Sequence, residues 1–269
     1  MVILIIIAAL LLVWLYMIMP RLRRPAGLEQ LKKHRYAHRG LHNIQKGVPE
    51  NSLTAFRLAV EQGYGIELDV HLSKDGKLVV EHDDTLMRTC GAELTIEKTD
   101  WAALQQLRLE GTEERLPLLE EVFKLVDGKV PLLVEAKVVG GNWNQLGQAL
   151  NDALSRYSGP YCVESFDPRQ ILWFRRNAPH VVRGQLAGNV RKEGSKVSSA
   201  ISFALENLLV NVLSRPDFIA YNYESHRNLS FRLCRALFGA PVFFWTVRSV
   251  EGQNLTAKYK AAPIFEKID

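Results

Sequence analysis

Reactive side chains are concentrated in residues 37–83 of this chain. Two histidines, an arginine and several carboxylates each lie beside an apolar, strand-like run. They fall in the segments Ala37–Gly40, Pro49–Ser52, Glu67–Val70 and Glu81–Asp83. Imidazoles can move protons, and clustered carboxylates can hold a divalent cation. The set therefore favours metal-assisted chemistry on a phosphate ester.

Glu67 and Asp69 are two residues apart on a predicted strand, so both side chains project from the same face. The alternative is a solvent-facing strand edge, but the apolar neighbours Ile66 and Leu68 favour a buried strand. Glu135 ends a second apolar run, where charged residues of barrel proteins often carry chemistry. These three oxygen donors predict a site for a hard cation.

His38 ends the first predicted strand and is followed by Arg39 and Gly40. A guanidinium at this position could bind phosphate oxygens in a bidentate manner. Taken alone, His38 would more often be a structural histidine, because a single His-Arg pair is a weak signal. Paired with His82, it becomes a candidate acid or base on one side of a scissile P–O bond.

A hairpin is predicted to return His82 to the acidic residues. Only a short segment separates Val70 from Leu78, and a parallel crossover needs about a dozen residues, so the second run must be antiparallel. A turn centred between Lys74 and Asp75 would pair Glu67 with His82.

Strand-like and helix-like segments alternate through the rest of the chain. The eight strand candidates are Arg35–His38, Gly65–Asp69, Val130–Glu135, Tyr161–Glu164, Val182–Leu186, Asp217–Tyr221, Val242–Thr246 and Pro263–Phe265. The helix candidates are Ser52–Gln62, Leu118–Val126, Trp143–Tyr157, Pro168–Asn177, His226–Phe238 and Val250–Lys260. This α/β pattern predicts a (β/α)₈ TIM barrel over residues 35–269, with residues 83–117 inserted after the second strand and its hairpin return. An open doubly wound sheet is the structural alternative, but the first strand lacks its glycine fingerprint.

The first 19 residues contain no charged side chain. Residues 1–20 are therefore predicted to form a single transmembrane helix, followed by a basic juxtamembrane linker over 21–34. A cleaved signal peptide is the alternative, but no basic residue precedes the apolar run. Arg21, Arg23 and Arg24 follow the run, and they predict a single-pass membrane protein whose barrel faces the cytoplasm.

The formal net charge of +5 does not indicate a nucleic-acid partner. Outside residues 1–25 the chain holds 31 basic and 29 acidic residues, so the barrel is nearly neutral. The arginines after the apolar run are more consistent with anionic lipid headgroups, which makes a lipid bilayer the expected partner.

The motifs together resemble the glycerophosphodiester phosphodiesterase family. The matching segments run in order and cover most of residues 35–266: His38–Gly40, Pro49–Ser52, Glu67–Val70, Ser73–Gly76, Val79–Asp83, Glu135–Lys137, Ser165–Phe166 and Trp245–Val247. The resemblance implies a (β/α)₈ barrel that hydrolyses glycerophosphodiesters to glycerol 3-phosphate and an alcohol.

The resemblance also implies roles for individual residues. His38 and His82 would be the catalytic acid and base. Glu67, Asp69 and Glu135 would hold Ca²⁺ or Mg²⁺. Arg39 and Lys137 would contact the phosphate, with Glu50 near the site and Trp245 as a wall of the glycerol pocket. The C-terminal run Ala262–Glu266 departs from the family pattern and leaves the role of Glu266 open.

Two other functions remain open from the sequence. The apolar segment Ala200–Leu213 is predicted to be a buried barrel helix, or alternatively a lipid-docking helix. Together with the predicted anchor it keeps a lysophospholipase D acting on membrane lysophospholipids as an alternative. A membrane-tethered barrel that binds a phosphodiester without catalysis is the third hypothesis.

Overall fold

The computed structural model describes residues 1–190 and 197–266. The strands are β1 Tyr36–His38, β2 Gly65–Leu72, β3 Leu78–Val80, β4 Leu132–Ala136, β5 Tyr161–Ser165, β6 Arg183–Ala187, β7 Phe218–Asn222, β8 Val242–Val247 and β9 Ala262–Phe265. All except β3 pair in parallel, in the order β1-β9-β8-β7-β6-β5-β4-β2. Pairing between β1 and β2 closes the ring. The fold is therefore an eight-stranded parallel barrel, as the strand and helix alternation predicted.

Helices precede β1, occur in the insertion after β3 and connect the remaining strands of the barrel. They are α1 Val2–Ile18, α2 Leu28–Leu31, α3 Leu53–Glu61, α4 Met87–Cys90, α5 Trp101–Leu104, α6 Leu119–Val126, α7 Trp143–Leu154, α8 Pro168–Asn177, α9 Ser199–Glu206, α10 Asn211–Ser214, α11 Leu229–Phe238 and α12 Val250–Tyr259. Side-chain caps define several of the starts, because a polar oxygen satisfies a free N–H of the first turn. Ser52 accepts from the Ala55 N–H, and Asp167 accepts from the Arg169 N–H before Pro168.

A group of buried aromatic side chains and the short helix α2 fill the interior of the barrel at its amino end. Tyr36, Phe218 and Phe243 are fully buried inside the ring, and the Phe243 ring contacts the other two in tilted arrangements. The leucines of α2 belong to the same apolar cluster, and the Tyr36 hydroxyl donates to the carbonyl of Leu31. The segment predicted as a linker is thus packed against the barrel. The residues predicted to form the site lie toward the opposite, carboxyl end of the strands.

The antiparallel hairpin is present, with its register shifted by one residue from the prediction. Val70 pairs with Val80, whereas the predicted turn paired Asp69 with Val80. The turn is centred on Asp75, because the Ser73 hydroxyl accepts from the Lys77 N–H and donates to the Asp75 carboxylate. β3 lies outside the closed ring, beside β2.

Residues 83–117 follow β3 and have a small apolar core of their own. Its buried members are Val79, Leu86, Ile96, Leu104, Leu109 and Leu116. The core connects to the barrel through β3, which carries Val79, and through bonds to the hairpin turn such as Asp75 to the Trp101 N–H. The insertion is therefore fixed beside the second strand.

The prediction of a membrane-spanning helix is wrong. Within residues 1–190 and 197–266, no helix has the length and apolarity needed to cross a bilayer. The apolar run forms α1 with 17 residues, about 26 Å at 1.5 Å per residue, and its last turn packs on the barrel. Asn211 and Cys234 both donate to the Ile18 carbonyl, and the Trp14 indole donates to Ser230.

The arginines after α1 also have partners other than those predicted. Arg21 contacts Asp217 and the Pro179 carbonyl, and Arg24 donates to the Phe238 carbonyl. These side chains hold the connecting segment to the barrel. The prediction of a single-pass membrane protein with a cytoplasmic barrel, which depended on the anchor and on these arginines, is therefore wrong as well.

Candidate active site

The residues singled out for chemistry lie at the carboxyl ends of the strands. His38 ends β1 and pairs in register with Glu67 on β2. Asp69 on β2 pairs with Glu135 on β4. Residues paired across parallel strands project from the same face of the sheet, so these four side chains share the mouth of the barrel.

Three buried carboxylates form the centre of this mouth. Glu67, Asp69 and Glu135 each offer an oxygen, and these oxygens all lie within 4.8 Å of one another. Lys137 Nζ lies 3.0 Å from Asp69 Oδ1 and 3.0 Å from Glu135 Oε1. Lys137 and the nearby Arg39 supply two positive charges for three carboxylates, and the clustered carboxylate oxygens are the donors that suit a divalent cation.

The pKa values of the three carboxylates reflect their burial and the charges around them. Burial, followed by the charges of Asp69 and Glu135, raises the pKa of Glu67 well above its usual range. Burial raises the pKa of Glu135 to about 7, although Lys137 opposes the shift. Burial also acts on Asp69, but Lys137, His82 and Arg39 outweigh it and hold the pKa of Asp69 well below its usual range. A cation would relieve the repulsion between these groups.

The loop after β1 brings Arg39 over the acidic cluster. Its backbone N–H donates to Glu67 Oε2 at 3.0 Å, and its guanidinium Nε lies 3.6 Å from Asp69 Oδ2. Gly40 makes this tight turn possible, because it has φ of +81° and a Cβ there would lie 2.8 Å from the Ala55 Cβ. The glycine therefore allows α3 to approach the strand end closely and fixes the position of Arg39.

A carboxylate from the last strand orients His38. Glu266 follows β9, and its Oε1 lies 2.8 Å from His38 Nδ1. Arg248 donates two bonds to the Glu266 carboxylate, at 2.7 Å each. Burial would raise the pKa of Glu266, but Arg248 and His38 outweigh it and lower the pKa. Glu266 is therefore ionised, Nδ1 carries the proton, and His38 Nε2 is left as the free nitrogen.

His82 has a matching arrangement on the insertion side. Asp83 Oδ1 lies 2.7 Å from His82 Nδ1. Arg88 on α4 binds Asp83 through Nε at 2.6 Å and through Nη2 at 3.0 Å. Burial lowers the pKa of His82, Lys137 lowers it further, and the nearby Asp69 opposes them. The hairpin thus carries His82 to the edge of the acidic cluster, despite the shifted register.

Glu50 and Trp245 occupy the rim of the mouth. Glu50 Oε1 accepts from Arg39 Nη1 at 2.8 Å, and the next residue, Asn51, donates to Asp69 Oδ2 at 2.9 Å. Trp245 is on β8, which is separated from β1 by β9, and it meets the Phe166 ring edge-on with centroids 5.5 Å apart. Trp245 and Phe166 therefore form an aromatic pair at the carboxyl ends of β8 and β5.

Several polar residues of the site had no role assigned from the sequence, and the role of one of them, Glu266, was left open. They are Asn51, Asp83, Arg88, Glu164, Arg248 and Glu266. Glu164 pairs with Glu135 across β4 and β5, is 1% exposed, and has an oxygen without a hydrogen-bond partner. Its place as the last residue of the predicted strand Tyr161–Glu164 is the same signal that identified Glu135. Arg88 lies on α4 within the insertion and had no such signal, and Arg248, although it directly follows β8, lies outside the motifs that carry the resemblance.

A closed parallel barrel with ionisable side chains at its carboxyl mouth defines the class of (β/α)₈ enzymes. Within that class, the model of the glycerophosphoryl diester phosphodiesterase family matches residues 38–266. The chain belongs to this family.

Individual relatives agree with this assignment over part of their length. A glycerophosphodiester phosphodiesterase of Caldanaerobacter subterraneus is 35% identical over 161 residues, which are 56% of this chain and 65% of that protein. A putative glycerophosphodiester phosphodiesterase of Bacillus subtilis is 35% identical over 54% of this chain and 62% of its own. A lysophospholipase D of Rattus norvegicus is 33% identical over 51% of this chain and 47% of its own. The chain spans less than two thirds of each of these relatives.

Solved structures share the fold. A phosphodiesterase of Oleispira antarctica, in complex with the product sn-glycerol-3-phosphate, has a TM-score of 0.72 at 24% identity and covers 88% of this chain and 94% of its own. A glycerophosphodiester phosphodiesterase of Thermotoga maritima has a TM-score of 0.66 at 25% identity, covering 86% and 92%.

Proposed function

We propose that this chain hydrolyses glycerophosphodiesters to glycerol 3-phosphate and an alcohol. One observation carries the proposal: two histidines, each with Nδ1 held by a carboxylate, flank a buried carboxylate cluster at the mouth of the barrel. Family membership and the relatives named for this activity support it.

Glu67, Asp69 and Glu135 would hold the divalent cation, Ca²⁺ or Mg²⁺. The oxygen-only donor set fits either ion, and the close spacing of three buried carboxylates fits a group of charge +2. When bound, the cation would neutralise charge that develops on the phosphoryl oxygens. Lys137 and Arg39 would add positive charge on either side of Asp69, where a phosphate would approach.

His38 and His82 would perform the proton transfers. Burial lowers the pKa of His38 to about 4, so that its Nε2 has a free lone pair at neutral pH and can accept a proton. A second imidazole, on the other side of the cluster, would serve the opposite role toward the leaving alcohol. Glu50 would hold the Arg39 guanidinium, and Trp245 would pack against the glycerol carbons.

The alternative substrate is a lysophospholipid, cleaved by the same chemistry as in a lysophospholipase D. Two observations favour keeping it. The relative from Rattus norvegicus is named as a lysophospholipase D. In addition, Ile201 and Phe203 on α9, after β6, are 51% and 60% exposed, contrary to the buried helix expected for this segment. These side chains could contact an acyl chain.

The test is a substrate panel with purified protein. We expect release of glycerol 3-phosphate from glycerophosphocholine, glycerophosphoethanolamine or glycerophosphoglycerol with added Ca²⁺ or Mg²⁺, and loss of that release with EDTA. Lysophosphatidylcholine in micelles tests the alternative, which predicts faster release of choline from the lysolipid than from glycerophosphocholine. Folded protein that turns over none of these substrates would contradict both proposals, and turnover unaffected by EDTA would contradict the cation.

Direct cation binding can be measured without any substrate. Calorimetric titration with Ca²⁺ and Mg²⁺ should show binding to the wild type and much weaker binding to Glu135→Gln. Glu120→Gln is the matched control, because the Glu120 side chain is 64% exposed on α6. Equal binding by all three proteins would remove the assignment of Glu135.

A further inference from the structure

Arg88 is an insertion residue that joins two parts of the candidate active site. It lies on α4, and its guanidinium contacts two carboxylates. Nε and Nη2 lie 2.6 and 3.0 Å from the Asp83 oxygens, and Nη2 also lies 2.7 Å from Glu50 Oε1. Each carboxylate has a further partner in the site: Asp83 holds His82 and Glu50 holds Arg39.

Arg88 brings one positive charge to two carboxylates of the site, Asp83 and Glu50. Hydrogen bonds to Arg88 lower the pKa of Glu50 against the effect of burial. For Asp83 burial is likewise the opposing effect, and bonds from His82 and Arg88 outweigh it. Without Arg88, Glu50 would keep Arg39 as a partner and Asp83 would keep His82, but the charge-assisted link between the two carboxylates would be lost.

The insertion holds α4 in place for this contact. Leu86, immediately before α4, is fully buried in the insertion's own apolar core, and its carbonyl accepts from the Cys90 N–H. The Thr89 carbonyl accepts from the Glu110 N–H, which ties α4 to the far end of the insertion. Arg88 is thus presented to the mouth by a folded unit rather than by a free loop.

We propose that Arg88 is a positioning residue that sets His82 and Arg39 together, through Asp83 and Glu50. The insertion then contributes to catalysis by fixing an imidazole tautomer and a guanidinium, without touching the substrate. The kinetic consequence rests on the proposed function, whereas the tautomer of His82 can be observed in the protein alone.

The experiment compares Arg88→Met with Arg88→Lys and with Arg108→Met. Methionine removes the charge and all three hydrogen bonds while keeping an unbranched side chain of similar length. Lysine keeps the charge but loses the planar fork. Arg108 is the matched control, because it lies in the same insertion and pairs with the exposed Glu113.

Nitrogen-15 NMR of the histidine rings gives the readout that requires no substrate. We expect His82 to carry its proton on Nδ1 in the wild type and in Arg108→Met, and to become a mixture of tautomers in Arg88→Met, while His38 stays unchanged. Arg88→Lys should be intermediate. An unchanged His82 tautomer in Arg88→Met would overturn the proposal whether or not the protein proves to be a phosphodiesterase.

The kinetic readout separates the two arms of the contact. Arg88→Met should lower kcat about 10- to 100-fold, as is typical for residues that orient active-site groups, and should raise KM several-fold. Asp83→Asn should act mainly on kcat, and Glu50→Gln mainly on KM. In the double variants the Arg88→Met effect should shrink, because its partner is already removed.

Full additivity of these effects would contradict a shared network. If Arg88→Met lowers the melting temperature so far that kinetics are unreliable, the tautomer of His82 in Arg88→Lys decides the question. A wild-type tautomer distribution in that variant, together with a full wild-type kcat, would also count against the proposal.

Discussion

The two histidines of the mouth are held by similar groups that come from different parts of the fold. His38 is bound by Glu266, a residue 228 positions later in the chain, which reaches it when β9 closes the barrel. His82 is bound by its neighbour Asp83, which depends on Arg88 of the insertion. The barrel itself thus orients one imidazole, and a unit attached outside the barrel orients the other.

The two arrangements also differ in exposure and in connections. The His38 side chain is 13% exposed and that of His82 is 32% exposed. Arg88 connects its histidine to Glu50 and Arg39 as well, whereas the contacts described above join Arg248 to Glu266. His38 is therefore the more buried of the two imidazoles, and the carboxylate that holds His82 is joined through Arg88 to a second part of the site.

The largest effect is expected from removing either imidazole. His38→Asn and His82→Asn should each lower kcat about 10²- to 10⁴-fold, because each removes a group to which we assign a proton transfer under the proposed function. A substrate with a p-nitrophenol leaving group needs little protonation, so the variant that recovers activity on it identifies the acid. His180→Asn, at the amino end of the barrel beside Val181, is the control and should keep wild-type activity.

Acid should destabilise the protein partly through His38. Its pKa is lowered from 6.5 to about 4 because of burial, so between these values the unfolded chain binds more protons than the folded chain. The free energy of unfolding therefore falls as the pH drops from 6.5 toward 4, by up to about 3 kcal/mol from this group. Urea unfolding at pH 4 to 7 should show a shallower dependence for His38→Asn. Parallel curves for the two proteins would mean that His38 is not buried as an uncharged group.

The carboxylates should matter less than the histidines that they orient. Glu266→Gln and Asp83→Asn should each reduce kcat about 10- to 100-fold, since an amide can donate to Nδ1 and favour the wrong tautomer. Glu266→Gln should also lower the melting temperature, because it weakens the two charge-assisted bonds between Arg248 and this side chain. Asp167→Asn, which alters an ion pair at the α8 N-cap, is a control for carboxylate removal elsewhere. Equal kcat in the wild type and both site variants would show that neither histidine needs a fixed tautomer.

The smallest effect is expected for Arg248→Met. The Arg248 side chain is 54% exposed, and Glu266 keeps His38 as a partner when it is removed. We expect a loss in kcat of less than about ten-fold, smaller than for Arg88→Met, because Arg88 joins two carboxylates of the site, whereas the Arg248 contact described above is with Glu266. Steady-state kinetics of the two variants side by side would test the contrast. A larger loss for Arg248→Met would reverse it.

Most of the barrel and part of the mouth follow from local sequence patterns. Apolar runs mark the strands that carry Glu67, Asp69 and Glu135. The hairpin was predicted because Val70 and Leu78 are too close in sequence for a parallel crossover. The shifted register arose because the turn is set by Ser73 and Asp75, and their hydrogen bonds cannot be derived from spacing.

Contacts between distant segments were not predictable in this way. The bonds of Glu266 to His38 and of Arg88 to Glu50 join residues far apart in sequence, and a single sequence gives no signal for such pairs. The prediction for the N-terminal helix was wrong for a related reason. Its apolar composition is typical of a spanning helix, but where the helix ends and the contacts of the Ile18 carbonyl with Asn211 and Cys234 depend on packing against the barrel.

The separate apolar core of the insertion has a consequence for partial unfolding. Segments with their own small core can open without the rest of the domain. Opening of residues 83–117 would displace Arg88 and release Asp83 and His82, while Glu67, Asp69 and Glu135 would remain on strands of the closed ring. Under mild denaturation, turnover would then be lost before cation binding, and the molecule would pass through a form that holds its ligand but cannot react.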